Sequence, residues 1–97
     1  MEGKNERIRC IILENSPVWG DKMGERVLLG HLPKGSLAIV RGWRMERMRQ
    51  AGEAESVKKL AVKYNLPYKG TQKEAEAIQQ AVMQDLNIQP VKKENYA

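Results

Sequence analysis

Residues 53–88 read EAESVKKLAVKYNLPYKGTQKEAEAIQQAVMQDLNI, and this stretch carries the clearest local grammar in the chain. Val57, Leu60, Ala61 and Tyr64 recur at the i, i+3, i+4, i+7 spacing of one helical face. Asn65 follows, a residue that tolerates the left-handed conformation closing a helix. Leu66 can pack back on the last turn, and Pro67 forbids continuation. Beyond Tyr68, Lys69 and Gly70 stands Thr71, with Glu74 three residues later. That is the spacing of a capping box, in which each side chain meets the other residue's free backbone N–H. A second helix then shows Ala75, Ile78, Val82 and Leu86 on one face, with Ala81 beside them. A corner of about six residues makes the two helices neighbours in space.

Upstream, Arg7 to Glu14 (RIRCIILE) is a β-branched run between polar residues, which predicts a strand. Ile8, Cys10 and Ile12 share one face of it; Arg7, Arg9 and Ile11 share the other, which is partly exposed. Asn15 to Gly24 is loop-like, with Asn-Ser-Pro and two glycines. Glu25–His31 and Ser36–Trp43 are further strands, joined as a hairpin by Leu32-Pro33-Lys34-Gly35. Arg44–Ala51 reads as a short helix closed by Gly52, against a strand continuing through Met45. The layout is β-β-β-(short α)-α-α. It predicts an α+β fold, a small antiparallel sheet of about three strands packed on one face against two C-terminal helices.

Ninety-seven residues suit one domain over 7–88, with a flexible arm at 1–6 and a flexible tail at 89–97. Apolar residues are 41% of the chain, but the aromatics are only Trp19, Trp43, Tyr64, Tyr68 and Tyr96, so the core is aliphatic with Met as filler. One cysteine, Cys10, rules out an internal disulfide framework and suits a reducing, cytoplasmic setting. No stretch suits a signal region or a membrane span. The net charge is +5, with ten basic against six acidic residues in 1–50 and seven against six in 51–97. A basic excess in the first half suggests a polyanionic partner, or serves solubility alone.

Catalysis finds little support. One His and one Cys cannot build a His- or Cys-rich metal site in a lone chain. His31 has the chemistry of a general base, and Ser16, Ser36 and Cys10 that of nucleophiles, yet no spacing pairs them. Cys10 sits amid β-branched residues, as a small buried hydrophobe does. No phosphate-binding loop of the Walker or dinucleotide type is present, and no cofactor is expected.

The densest basic cluster is Arg41, Arg44, Arg47 and Arg49, with Trp43 among them and Glu46 opposing. Guanidinium groups bridge phosphates or pair with guanine edges, and an adjacent Trp stacks on an unpaired base. The competing reading turns Trp43 and the methionines into the core and leaves a solvated basic face. Residues 60–66 (LAVKYNL) also resemble the opening of a DNA-binding helix-turn-helix, with Lys58, Lys59, Lys63, Lys69 and Lys73 as backbone contacts. Against this, the corner exceeds the usual three or four residues. Glu74 and Glu76 would also face phosphates. The resulting expectation is a non-enzymatic nucleic-acid-binding protein, most readily DNA-binding. The alternative is a protein-interaction or inhibitor module using Trp19, Trp43 and the methionines, in which the helix pair can also dimerise.

Overall fold

The computed structural model describes residues 3–89. In chain order its elements are β1 (Arg7–Ile12), β2 (Ser16–Lys22), β3 (Glu25–Leu32), β4 (Leu37–Arg41), α1 (Gly42–Gln50), β5 (Ala54–Ser56), α2 (Val57–Lys63) and α3 (Gln72–Leu86). They make one small α+β domain with a three-stranded sheet, order β4-β1-β5, and a separate two-stranded sheet of β2 and β3.

Strand β1 is the centre, antiparallel to β4 on one side and β5 on the other. Both of its faces are buried, which is why its sequence is an almost continuous apolar run. Ile8, Cys10 and Ile12 pack with Val40, Ala54 and the α1 residues Met45 and Met48. On the opposite face Ile11 packs with Val57, Leu60 and Ala61 of α2 and with Ala75, Ile78 and Val82 of α3. Helices therefore cover both faces rather than the one expected. The chain passes from β4 to β5 across β1, so α1 has to cross a face of the sheet, and it takes the face that α2 and α3 leave open.

The C-terminal helix pair follows its sequence grammar. Ser56 caps α2, its hydroxyl accepting from the Lys59 N–H at 3.3 Å. Asn65 takes the left-handed conformation at φ 55°, and the Leu66 N–H returns to the Ala61 carbonyl at 2.9 Å. Thr71 and Glu74 form the reciprocal capping box at the start of α3. The Tyr64 hydroxyl donates to Asp85 at 2.6 Å, linking the end of α2 to the last turn of α3.

The expected hairpin between Glu25–His31 and Ser36–Trp43 does not form. Strand β3 pairs instead with β2, which occupies residues expected as loop. Pro17 is tolerated there because a two-stranded ribbon leaves each strand an open edge. The connection at Met23 and Gly24 has φ values of 53° and 81°, the left-handed pair of a type I′ turn. A register shift between Val18 and Trp19 leaves Leu29 as the extra residue of a β-bulge. An isolated two-stranded ribbon is marginal in water. This one is anchored at its base, where Leu32 packs on the α1-side core and the Ser16 hydroxyl donates to Glu53 at 3.3 Å.

Residues 3–6, within the expected arm, form a turn that ties down the start of α1. The Gly42 and Trp43 N–H groups donate to the Glu6 and Lys4 carbonyls at 2.8 and 3.1 Å. A Cβ on Gly42 would overlap the Gly3 carbonyl, so this close approach requires glycine. The tail expected from residue 89 lies, from 90 onward, outside the described residues. Among the described residues no helix is long and apolar enough to cross a membrane.

Candidate nucleic-acid interface

The basic cluster of the sequence falls on α1, and helical phase divides it. Met45 and Met48 turn into the core. Arg44 and Arg47, three residues apart, lie on one flank; Glu46 and Arg49 lie on the other. Each flank forms a wall of an open groove. Arg47 and Arg49 also sit in the last turn, where the helix dipole favours cations.

The larger groove, about 980 Å³, runs between α1 and α2. Trp43 and Arg49 line it from α1, Lys58, Lys59 and Val62 from α2, and Lys4 from the N-terminal turn. Glu46 is its one acid among the described residues, and it forms an ion pair with Arg49. The smaller groove, about 390 Å³, lies between α1 and the β2–β3 ribbon. Arg44, Arg47 and Trp43 line it from α1, and Trp19 and Arg26 from the ribbon. Its one carboxylate among the described residues, Glu53, accepts from the Ser16 hydroxyl. Trp43 stands at the junction and lines both grooves. Neither indole belongs to the core: Trp43 is 47% exposed and Trp19 45%.

Six of the ten residues expected to contact nucleic acid thus line the two grooves: Trp43, Arg44, Arg47, Arg49, Lys58 and Lys59. Four do not. Arg41 extends its guanidinium to the Asn5 carbonyl at 2.9 Å. Lys63 lies 5.5 Å from the centroid of the Tyr64 ring. Lys69 is in the corner between α2 and α3, and Lys73 in the first turn of α3. Trp19, expected as an anchor for a protein partner, faces the same groove as Trp43. Lys4 and Arg26 are additions. Nothing in their local sequence marked them, because only the N-terminal turn and the ribbon bring them to α1.

A helix-turn-helix is a poor description of α2 and α3. The corner spans residues 64–71, twice the usual length. The apolar stripe Ala75, Ile78 and Val82 of α3 lies against the sheet. Gln79 donates to the Gly35 carbonyl at 2.8 Å, fixing α3 to the turn before β4. The exposed side of α3 sets Lys73 against Glu76 and Asp85, which gives phosphate no net attraction.

The groups with nucleophile or base chemistry are dispersed. Cys10 is fully buried, and burial, opposed in part by the charge of Arg44, pushes its thiol up to about 11. His31 sits opposite Pro17 in the ribbon. The Ser36 hydroxyl donates to the Pro33 carbonyl at 2.6 Å. Among the described residues no three His, Cys, Asp or Glu side chains are grouped to hold a metal ion. Set beside known proteins, the chain matches no protein family, no curated relative and no solved structure.

Proposed function

We propose that the protein binds nucleic acid, without catalysing a reaction on it, through the paired grooves flanking α1. One observation carries this reading: the solvent-exposed Trp43 at the meeting point of two grooves whose walls hold, among the described residues, seven cations, Lys4, Arg26, Arg44, Arg47, Arg49, Lys58 and Lys59. Cations in that number attract the phosphate backbone and release its counterions, while an indole among them offers a face to a base. A cytoplasmic setting accords with the lone buried thiol.

The test is a salt titration of binding to labelled DNA and RNA, single- and double-stranded, read by fluorescence anisotropy. Micromolar or tighter binding near physiological salt, weakening steeply as salt rises, is the expected result. Absence of binding to all four retires the proposal.

A second reading, a protein-interaction module, draws on the β2–β3 ribbon, where Trp19, Met23, Leu28 and Leu29 are all exposed. Its test is capture of a protein partner that Leu28→Ser with Leu29→Ser abolishes and Arg44→Ala with Arg47→Ala leaves intact.

A further inference from the structure

Resting on the nucleic-acid reading, we infer that the ligand is a single strand laid across the start of α1, with unpaired bases stacked on both Trp43 and Trp19. The argument begins from what the indoles can touch. In a duplex the base faces are buried in the stack, and only edges, sugars and phosphates are presented. An exposed indole in a cationic groove has no face to meet there. An unpaired base supplies one, and every base has a π-face, so such a contact is tolerant of sequence.

The placement of the two rings fits this requirement. Trp43 belongs to α1 and Trp19 to the ribbon, so they reach the smaller groove from different elements. Arg26 lies over the Trp19 ring with its guanidinium carbon 4.4 Å from the centroid. One ring face is thereby covered by a cation, and a base takes the other, leaving the indole between guanidinium and base. Because Trp43 also lines the larger groove, a strand leaving the first stack runs on toward Lys58 and Lys59. The open grooves, about 390 and 980 Å³, have room for a few nucleotides.

The chain has only two tryptophans, so Trp19→Phe and Trp43→Phe each isolate the other indole as a fluorescent probe. The experiment titrates both proteins with an unlabelled strand of about 12 nucleotides. The same titration is run with the matching duplex and with the constituent mononucleotides, and affinity is followed by anisotropy of labelled forms. Expected are quenching of each indole by the single strand and tighter binding of that strand than of duplex or mononucleotide. Trp43→Ala should weaken single-strand binding about 5- to 150-fold, the loss of one base–aromatic stack. Trp43→Tyr, which keeps a stacking ring, should restore most of it and control for folding. Duplex bound as tightly as single strand, or single-strand binding without indole quenching, overturns this inference and leaves general nucleic-acid binding standing. Mononucleotide binding as tight as that of the strand overturns it in favour of a free-nucleotide site. No binding of any of them, in DNA and in RNA form, removes this inference and the proposed function together.

Discussion

Arg26 lies over Trp19, its guanidinium carbon 4.4 Å from the ring centroid. In the ribbon Trp19 pairs with Leu28, and Arg26 pairs with Asp21 two positions on, so the two side chains meet diagonally on one face. A cation–π contact at such an exposed site contributes about 0.5–1 kcal/mol. Arg26→Ala in the Trp43→Phe background should therefore lower stability to urea by that amount and shift the emission of Trp19, now without its cation. Trp19→Ala should leave the domain folded, since the indole is 45% exposed. Cooperative unfolding of Trp19→Ala in buffer alone would show the ring to be part of the core.

Arg44 and Arg47 project from one flank of α1 into the smaller groove and form no ion pair among the described residues. Each cation that contacts a phosphate of a single strand adds about 0.7 to the slope of log affinity against log salt. Arg44→Ala with Arg47→Ala should flatten that slope by about 1.4. Lys69→Ala with Lys73→Ala, on the far corner, should leave it unchanged. Equal slopes for wild type and the arginine variant would count against the groove.

Glu74 accepts from the Lys69 N–H at 2.8 Å, the Thr71 hydroxyl at 2.9 Å and the Thr71 N–H at 3.2 Å. These bonds, the Lys69 N–H first, hold its carboxyl below the ordinary 4.5. A depressed folded pKa means the contribution is present above the unfolded value and is lost as pH falls through the folded one. Glu74→Gln should therefore be less stable than wild type at neutral pH, and the gap should narrow as both are acidified. Thermal melts at pH 7 and below pH 4 read this directly, and a gap that widens in acid would contradict the cap.

Cys10 shows the opposite sign. Burial raises its thiol to about 11, so its contribution is intact below the ordinary 9.0 and is lost as pH rises through the folded value. A neutral, fully buried thiol is inert, because the thiolate is the reactive species. A disulfide reagent at pH 8 should label Cys10 only at the rate of unfolding, and labelling should become rapid in denaturant. Rapid labelling of the native protein would place Cys10 at the surface.

The helix pair was legible because its signals are local. Asn65, Pro67, Thr71 and Glu74 each act within a few residues, and no tertiary contact has to override them. The short helix over Arg44–Ala51 was visible for a similar reason, with Met45 and Met48 spaced for burial and Gly52, at φ 74°, beyond its end. Of the ribbon, β3 was legible as a strand over Glu25–His31, but its partner β2 and their pairing were not. Pro17 and Gly20 look like loop residues, yet both lie within β2, where the Leu29 side chain sits over Gly20. Strand β5 is three residues long, too short for any alternation to show. The α1 share of the site could be read from charge density and Trp43. Of the other walls, Lys58, Lys59 and Trp19 are expected as contacts from their chemistry. That they face α1 and are joined by Arg26 and Lys4 could not be read, because long-range topology alone brings them together. The cost of Arg41 to that reading is instructive: one residue before α1, it is still on β4, and its side chain takes the opposite face of the sheet from Val40.

Met23 explains the last missing sign of the ribbon, since a type I′ turn is normally announced by Asn-Gly and here the chain has Met-Gly. Its φ of 53° is left-handed, a conformation that costs a side chain other than Gly, Asn or Asp about 1 kcal/mol. Met23 is 96% exposed, so it gains almost nothing from packing to offset that cost. Met23→Asn should relieve the strain without removing a contact and should raise stability by about 0.5–1 kcal/mol. A rise in the urea midpoint at unchanged slope would report it. A fall would mean that the methionine packs against something in the folded protein, and the ribbon tip would then be part of a contact surface rather than a free turn.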